Sequence, residues 1–62
     1  MIQKNDKYVA LVAYYTPDER IEVGDTVIVG HTGFSNGHAW VYCDKGVLPL
    51  EILLNCFIRN LH

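Results

Sequence analysis

The pentapeptide Ile21-Glu22-Val23-Gly24-Asp25, with the run Thr26-Val27-Ile28-Val29 behind it, constrains this chain more than any other stretch. Gly24 lacks a Cβ, so it can take the positive φ of a tight turn from which two strands diverge. Asp25 beside it can tie that turn through its carboxylate. The β-branched run suits a pleated, half-buried surface. Period two gives Val27 and Val29 one face of that strand and Thr26 and Ile28 the other. The remaining segments are short, and each can be placed around this corner as a further strand.

Sixty-two residues allow one domain. A chain of this length buries only about 60% of its unfolded surface, so its core is small. Half of its residues are hydrophobic, which argues against disorder. Five basic against seven acidic residues give a net charge of −2. That balance, with Lys4, Lys7, Arg20, Lys45 and Arg59 scattered, gives no basic stripe for nucleic acid or an anionic membrane. No apolar run has the length of a bilayer span. The first seven residues carry charges with no apolar segment ahead of a cleavage site, and a cytoplasmic location is expected. Cys43 and Cys56 are expected as buried reduced thiols, because a disulfide scaffold of this size carries four or six cysteines.

Residues 1–7 are polar and predicted to fray. Residues 8–15 form an unbroken apolar and aromatic run, read as one strand with Tyr8, Ala10, Val12 and Tyr14 on one face. Thr16-Pro17-Asp18-Glu19-Arg20 is a turn whose charges keep its tip in water. Residues 30–38, with three glycines, a Ser-Asn pair and an isolated Phe34, read as a loop. Residues 39–43 make a strand with Trp40 and Tyr42 on one face and Val41 and Cys43 on the other. Asp44-Lys45-Gly46 is a tight hairpin loop with Gly46 at positive φ. Val47 and Leu48 return as a strand that Pro49 ends. Residues 50–52 have room for one 3₁₀ turn, and residues 53–58 are read as the closing strand. A helix over 49–61 is the rival, with proline at a suitable first position. Its apolar residues spread too far round the circumference for an amphipathic face, which favours the strand.

Five short strands with regular turn signals predict an all-β chain, a small five-stranded barrel over residues 8–58 with a C-terminal tail at 59–62. Ala10, Ile21, Val27, Val29, Val41, Leu48 and Leu53 are its expected core. Neither face of the final strand is polar, so one is left for another chain. Leu54, Phe57 and Ile58 are the expected self-association residues, and a homo-oligomer or assembly subunit is one reading of the protein.

His31, His38, His62, Cys43 and Cys56 carry the atoms of a zinc site, but no pair has the close spacing of one, and no metal or other cofactor is expected. A cysteine nucleophile needs a paired base and a pocket. No glycine-rich phosphate loop, nucleophile elbow or carboxylate pair stands out. The expected protein is not an enzyme.

In order along the chain, these features resemble a Src-homology-3 (SH3) domain. Ala10-Leu11-Val12-Ala13-Tyr14 stands where the family has Ala-Leu-Tyr-Asp-Tyr. Ile21-Glu22-Val23-Gly24-Asp25 resembles its aromatic-x-x-Gly-Asp diverging turn, and Trp40 falls near its tryptophan pair. Gly46-Val47-Leu48-Pro49-Leu50-Glu51-Ile52-Leu53 resembles its Gly-hydrophobic-hydrophobic-Pro-x-x-Tyr-Val ending. The resemblance spans residues 8–54 and implies an SH3-like barrel with a peptide groove that receives proline-rich segments in polyproline II form. The matching groove positions are Val12, Tyr14, Trp40, Pro49 and Ile52, with aliphatic side chains at 12 and 52 where the family has tyrosines. Asp18 and Glu19, on a shortened loop, would attract a basic ligand residue. The function expected on this basis is non-catalytic binding of a protein or peptide through an apolar, aromatic surface, accompanied by self-association.

Overall fold

The computed structural model describes residues 2–61. Along the chain run β1 (Lys7–Ala10), β2 (Tyr14–Tyr15), β3 (Arg20–Ile21), β4 (Thr26–Ser35), β5 (His38–Cys43), β6 (Gly46–Pro49), α1 (Leu50–Cys56) and β7 (Phe57–Asn60). Among the described residues, one five-stranded sheet has the order β6-β5-β4-β1-β7, with antiparallel neighbours throughout, and β2 and β3 form a separate ribbon. The two end strands, β6 and β7, do not pair with each other, so hydrogen bonding does not close this sheet into a barrel. The protein is a small, mostly β domain with one short helix.

The corner at Gly24 forms as its residues dictate. Gly24 has φ +90° and donates its amide to the Ala10 carbonyl at 2.8 Å. Asp25 accepts the Glu22 amide on its carboxylate at 2.8 Å and returns its own amide to the Glu22 carbonyl at 3.0 Å. Past this corner, β4 serves two neighbours. Thr26 to Ile28 pair with β1, and Val29 to Ser35 pair with β5, with a register shift between Val29 and His31. A bulge of this kind bends a strand, which lets one strand turn from one partner to the next.

All seven residues expected in the core are buried, and Tyr8 and Phe57 join them. Tyr8, Ala10 and Val27, Val29 enter from β1 and β4, Val41 and Leu48 from β5 and β6, Ile21 from β3 and Leu53 from α1. Cys43 and Cys56 are free and half-buried.

Several expectations are corrected. The strand over 8–15 is interrupted: it ends at Ala10, because the Leu11 amide turns to the Cys56 carbonyl at 2.9 Å, and it resumes only as β2. Residues 30–38 are not a loop but the outer half of a hairpin, turned at Asn36 and Gly37 with φ +53° and +78°. That two-residue turn matches the twist of its flanking strands. In place of a 3₁₀ turn and a strand from Leu53, the chain forms α1 over Leu50–Cys56 and only then β7. Leu53 is buried on the helix, Leu50, Ile52 and Cys56 pack against the core, and Glu51, Leu54 and Asn55 face outward. The break at Phe57 gives each piece the periodicity that a single helix or strand over the whole stretch lacked.

The N-terminal residues expected to fray are tied down. The Asn5 amide donates to the Val29 carbonyl at 2.7 Å, and the Val29 amide to the Asp6 carbonyl at 2.9 Å, while Ile2 packs on the core. Arg59 and Asn60, placed in a tail by sequence, belong to β7. Met1 and His62 lie outside the described residues.

Candidate functional site

The hairpin of β5 and β6 makes the floor of a groove. Register pairs Trp40 with Pro49 and Tyr42 with Val47, and alternation puts these four side chains on the face opposite Val41 and Leu48. Tyr14 and Pro17, from the segment 14–21, form a second wall, and Ser35 and Asn36 close one end. The space enclosed is about 510 Å³ and open to solvent along its length.

Its lining is rich in rings, and two of them, Tyr42 and Trp40, are held by neighbouring groups. Tyr42 stacks on His31 across the β4–β5 pair, with centroids 4.4 Å apart and planes 6° from parallel. His38 meets Trp40 edge-on, with centroids 6.5 Å apart. The Trp40 indole Nε1 donates to the Ser35 carbonyl at 3.2 Å, which commits the indole proton within the protein. No hydrogen bond among the described residues engages the hydroxyl of Tyr14 or Tyr42. Phenol hydroxyls both donate and accept, so these two are the groove's polar handles for a ligand backbone.

Charge beside the groove is mostly paired. Glu19 accepts the Lys45 ammonium at 3.4 Å, and that contact holds the Lys45 pKa above its usual value. Arg20 pairs with Glu22 at 2.6 Å and lies over the Tyr15 ring. Asp18 is exposed at the tip of the same segment, its amide bonded to Thr16 Oγ1 at 3.2 Å and its carboxylate in no ion pair among the described residues. Burial pushes the Cys43 thiol upward, and its Sγ donates to the Gly46 carbonyl at 3.0 Å. A thiol held protonated is a poor nucleophile.

The structure brings together Tyr14, Trp40 and Pro49 of the expected ligand-binding residues. Ile52 is on α1 against the core and Val12 is exposed in the bend after β1; neither lines the groove. Asp18 and Glu19 flank it without lining it. Tyr42, Val47, Pro17 and His31 were not chosen from sequence, although alternation had already placed Tyr42 on the face of Trp40. Of the expected self-association residues, Leu54 and Ile58 are exposed, but Phe57 is in the core because β7 starts at that residue and turns it inward.

A second cavity, about 630 Å³, lies between the outer half of the β4–β5 hairpin and α1. Ile2, Phe34, Ala39, Leu50 and Leu54 line it almost without polar atoms. Among the described residues, no group of three or more His, Cys, Asp or Glu side chains is placed to hold a metal ion. No helix among the described residues is long and apolar enough to cross a membrane. Comparison with protein-family models, with curated proteins and with solved structures returned no match.

Proposed function

We propose that this chain is an SH3-like, non-catalytic binding module whose groove of Tyr14, Trp40 and Pro49 receives an extended peptide of another protein. One observation carries the reading. Three residues far apart in sequence, selected for their order along the chain, line one open groove. Two supports accompany it. The order β6-β5-β4-β1-β7, with a turn at Gly24 and a helical segment before the last strand, suits a five-stranded barrel of that type. Flat rings with a few hydroxyls also suit a polyproline II segment, which has no internal hydrogen bonds and presents its carbonyls outward. Arg20, Lys45 and Arg59 each sit in an ion pair, which disfavours a nucleic-acid partner.

The test is an amide chemical-shift titration of the full chain with decaproline, and with the same peptide carrying one terminal arginine. Saturable shifts at Tyr14, Trp40 and Tyr42 are expected. Trp40→Ala should lower affinity by about tenfold or more, as truncation of a ring anchor does, with β-sheet circular dichroism unchanged. Absence of shifts at these residues, or equal affinity in Trp40→Ala, would sink the proposal.

A second reading rests on the apolar cavity. Phe34 is 76% and Leu54 59% exposed, and such a surface suits self-association. Light scattering across a concentration series separates the two: a dimer that Leu54→Asp dissociates supports self-association, whereas a monomer at all concentrations removes it.

A further inference from the structure

We infer that Thr16 is the latch of the groove: its hydroxyl fastens the segment 14–21 to the β5–β6 turn and thereby sets where Tyr14 and Pro17 stand. The inference rests on the groove reading above and adds to it the residue that positions one wall.

A threonine hydroxyl has two acceptor lone pairs and one proton. In Thr16 the lone pairs take the amides of Glu19, at 2.9 Å, and Asp18, at 3.2 Å. Two carbonyls compete for the proton, those of Glu19 and Lys45, each 2.9 Å from Oγ1. Glu19's carbonyl already accepts the Thr16 amide at 3.0 Å. A carbonyl has two lone pairs, so both contacts stand, and the one to Lys45 reaches the turn between β5 and β6. One side chain thus shapes its own turn and fastens it to another 29 residues away.

The turn is built to receive it. Gly46 has φ +124°, and a Cβ there would lie 2.6 Å from Thr16 Oγ1 and 3.0 Å from Thr16 Cβ. Any side chain at 46 would displace Thr16 from its seat. The ion pair of Lys45 with Glu19, at 3.4 Å, is a second and looser tie between the same two turns. Exposed pairs of this kind contribute little, so the hydroxyl is the main fastening. Both ties lie outside the groove, yet the segment they hold supplies Tyr14 and Pro17 to its lining. Release would let that wall swing away from Trp40 and Pro49.

The full chain is compared as wild type, Thr16→Val, which keeps the shape and removes the hydroxyl, and Thr16→Ser, which keeps the hydroxyl. Three quantities are read: amide hydrogen exchange at Glu19, Trp40 emission without ligand, and affinity for decaproline. Trp40 is the only tryptophan, so all tryptophan emission comes from this one side chain, which lines the groove and also borders the apolar cavity. In Thr16→Val the Glu19 amide should exchange about tenfold faster, the scale of one lost hydrogen bond, Trp40 emission should shift to the red, and decaproline should bind several-fold more weakly. Thr16→Ser should stay within about twofold of wild type, since it keeps both the donor and the acceptor sites.

Unchanged exchange in Thr16→Val overturns the latch. Faster exchange with unchanged emission overturns its link to the groove. If wild type itself ignores decaproline, the binding reading falls, while exchange and emission still judge the latch. Should Thr16→Val lose its β-sheet circular dichroism, Thr16→Ala carries the test by removing the same hydroxyl without placing a methyl group in its seat. The same changes in emission and decaproline affinity then support the latch, and no change overturns it.

Discussion

The two halves of β4 are one continuous strand with opposite fates. In the first, Val27 and Val29 are sealed, and the neighbours across the ladder are core strands. In the second, Phe34 stands in solvent and His31 stacks on Tyr42 at the rim of the groove. Residue type does not explain the difference, since phenylalanine is more apolar than valine. What differs is what lies across from each half. Val27 and Val29 pack in one core cluster with Ile21 of β3 and Leu53 of α1, whereas Phe34 borders an open cavity between the hairpin and the outer side of α1. The strand teaches that in a chain this small, stability and recognition are divided along a single element.

Substitutions can break that division. The largest effect should come from Val27→Ala, which empties a fully buried site and should cost about 2 kcal/mol of unfolding free energy in a urea titration. A loss below about 0.5 kcal/mol would mean that the first half of β4 is not where stability resides. Next come the glycines at the two ends of the strand. Gly24 and Gly37 both have positive φ, and a Cβ would meet nothing within 4 Å at either. Gly24→Ala and Gly37→Ala should therefore each cost about 1 kcal/mol from backbone conformation alone, read as similar drops in melting temperature. Unequal drops would show that the two corners differ in more than their dihedral angles. The smallest effect should be Phe34→Ala. It removes the larger side chain of the pair, yet should change stability by less than about 0.5 kcal/mol, since the ring is mostly solvated.

The same division governs how much could be read from sequence. The corner at Gly24 and the seven core residues were legible because alternation and one glycine leave few arrangements. The outer hairpin was not. Ser35-Asn36-Gly37 resembled loop composition, although Asn36-Gly37 is also the strongest short signal for a two-residue hairpin turn. Glycine at 30 and 33 diluted the strand pattern that would have revealed it. The helix was hidden for another reason. Tested as one element to residue 61, its apolar positions spread too far round the circumference, because residues 57–60 obey period two and not 3.6. That misreading also placed Phe57 outside, whereas Ile52 was set in the groove by its match to the family's ending. Tyr14, Trp40 and Pro49, chosen by their match to the family's order, line one groove, and Tyr42 was visible from the alternation along the strand that carries Trp40.

The passage from α1 to β7 has no intervening linker: Cys56 ends one and Phe57 begins the other. Helix and strand are consequently geared together. Adding a single residue at this seam would turn the strand half a period, exchanging Phe57 for a neighbour inside and moving Ile58 inward. Lengthening at the seam is thus forbidden to this chain, whereas the exposed tip at 36–37 has room to grow.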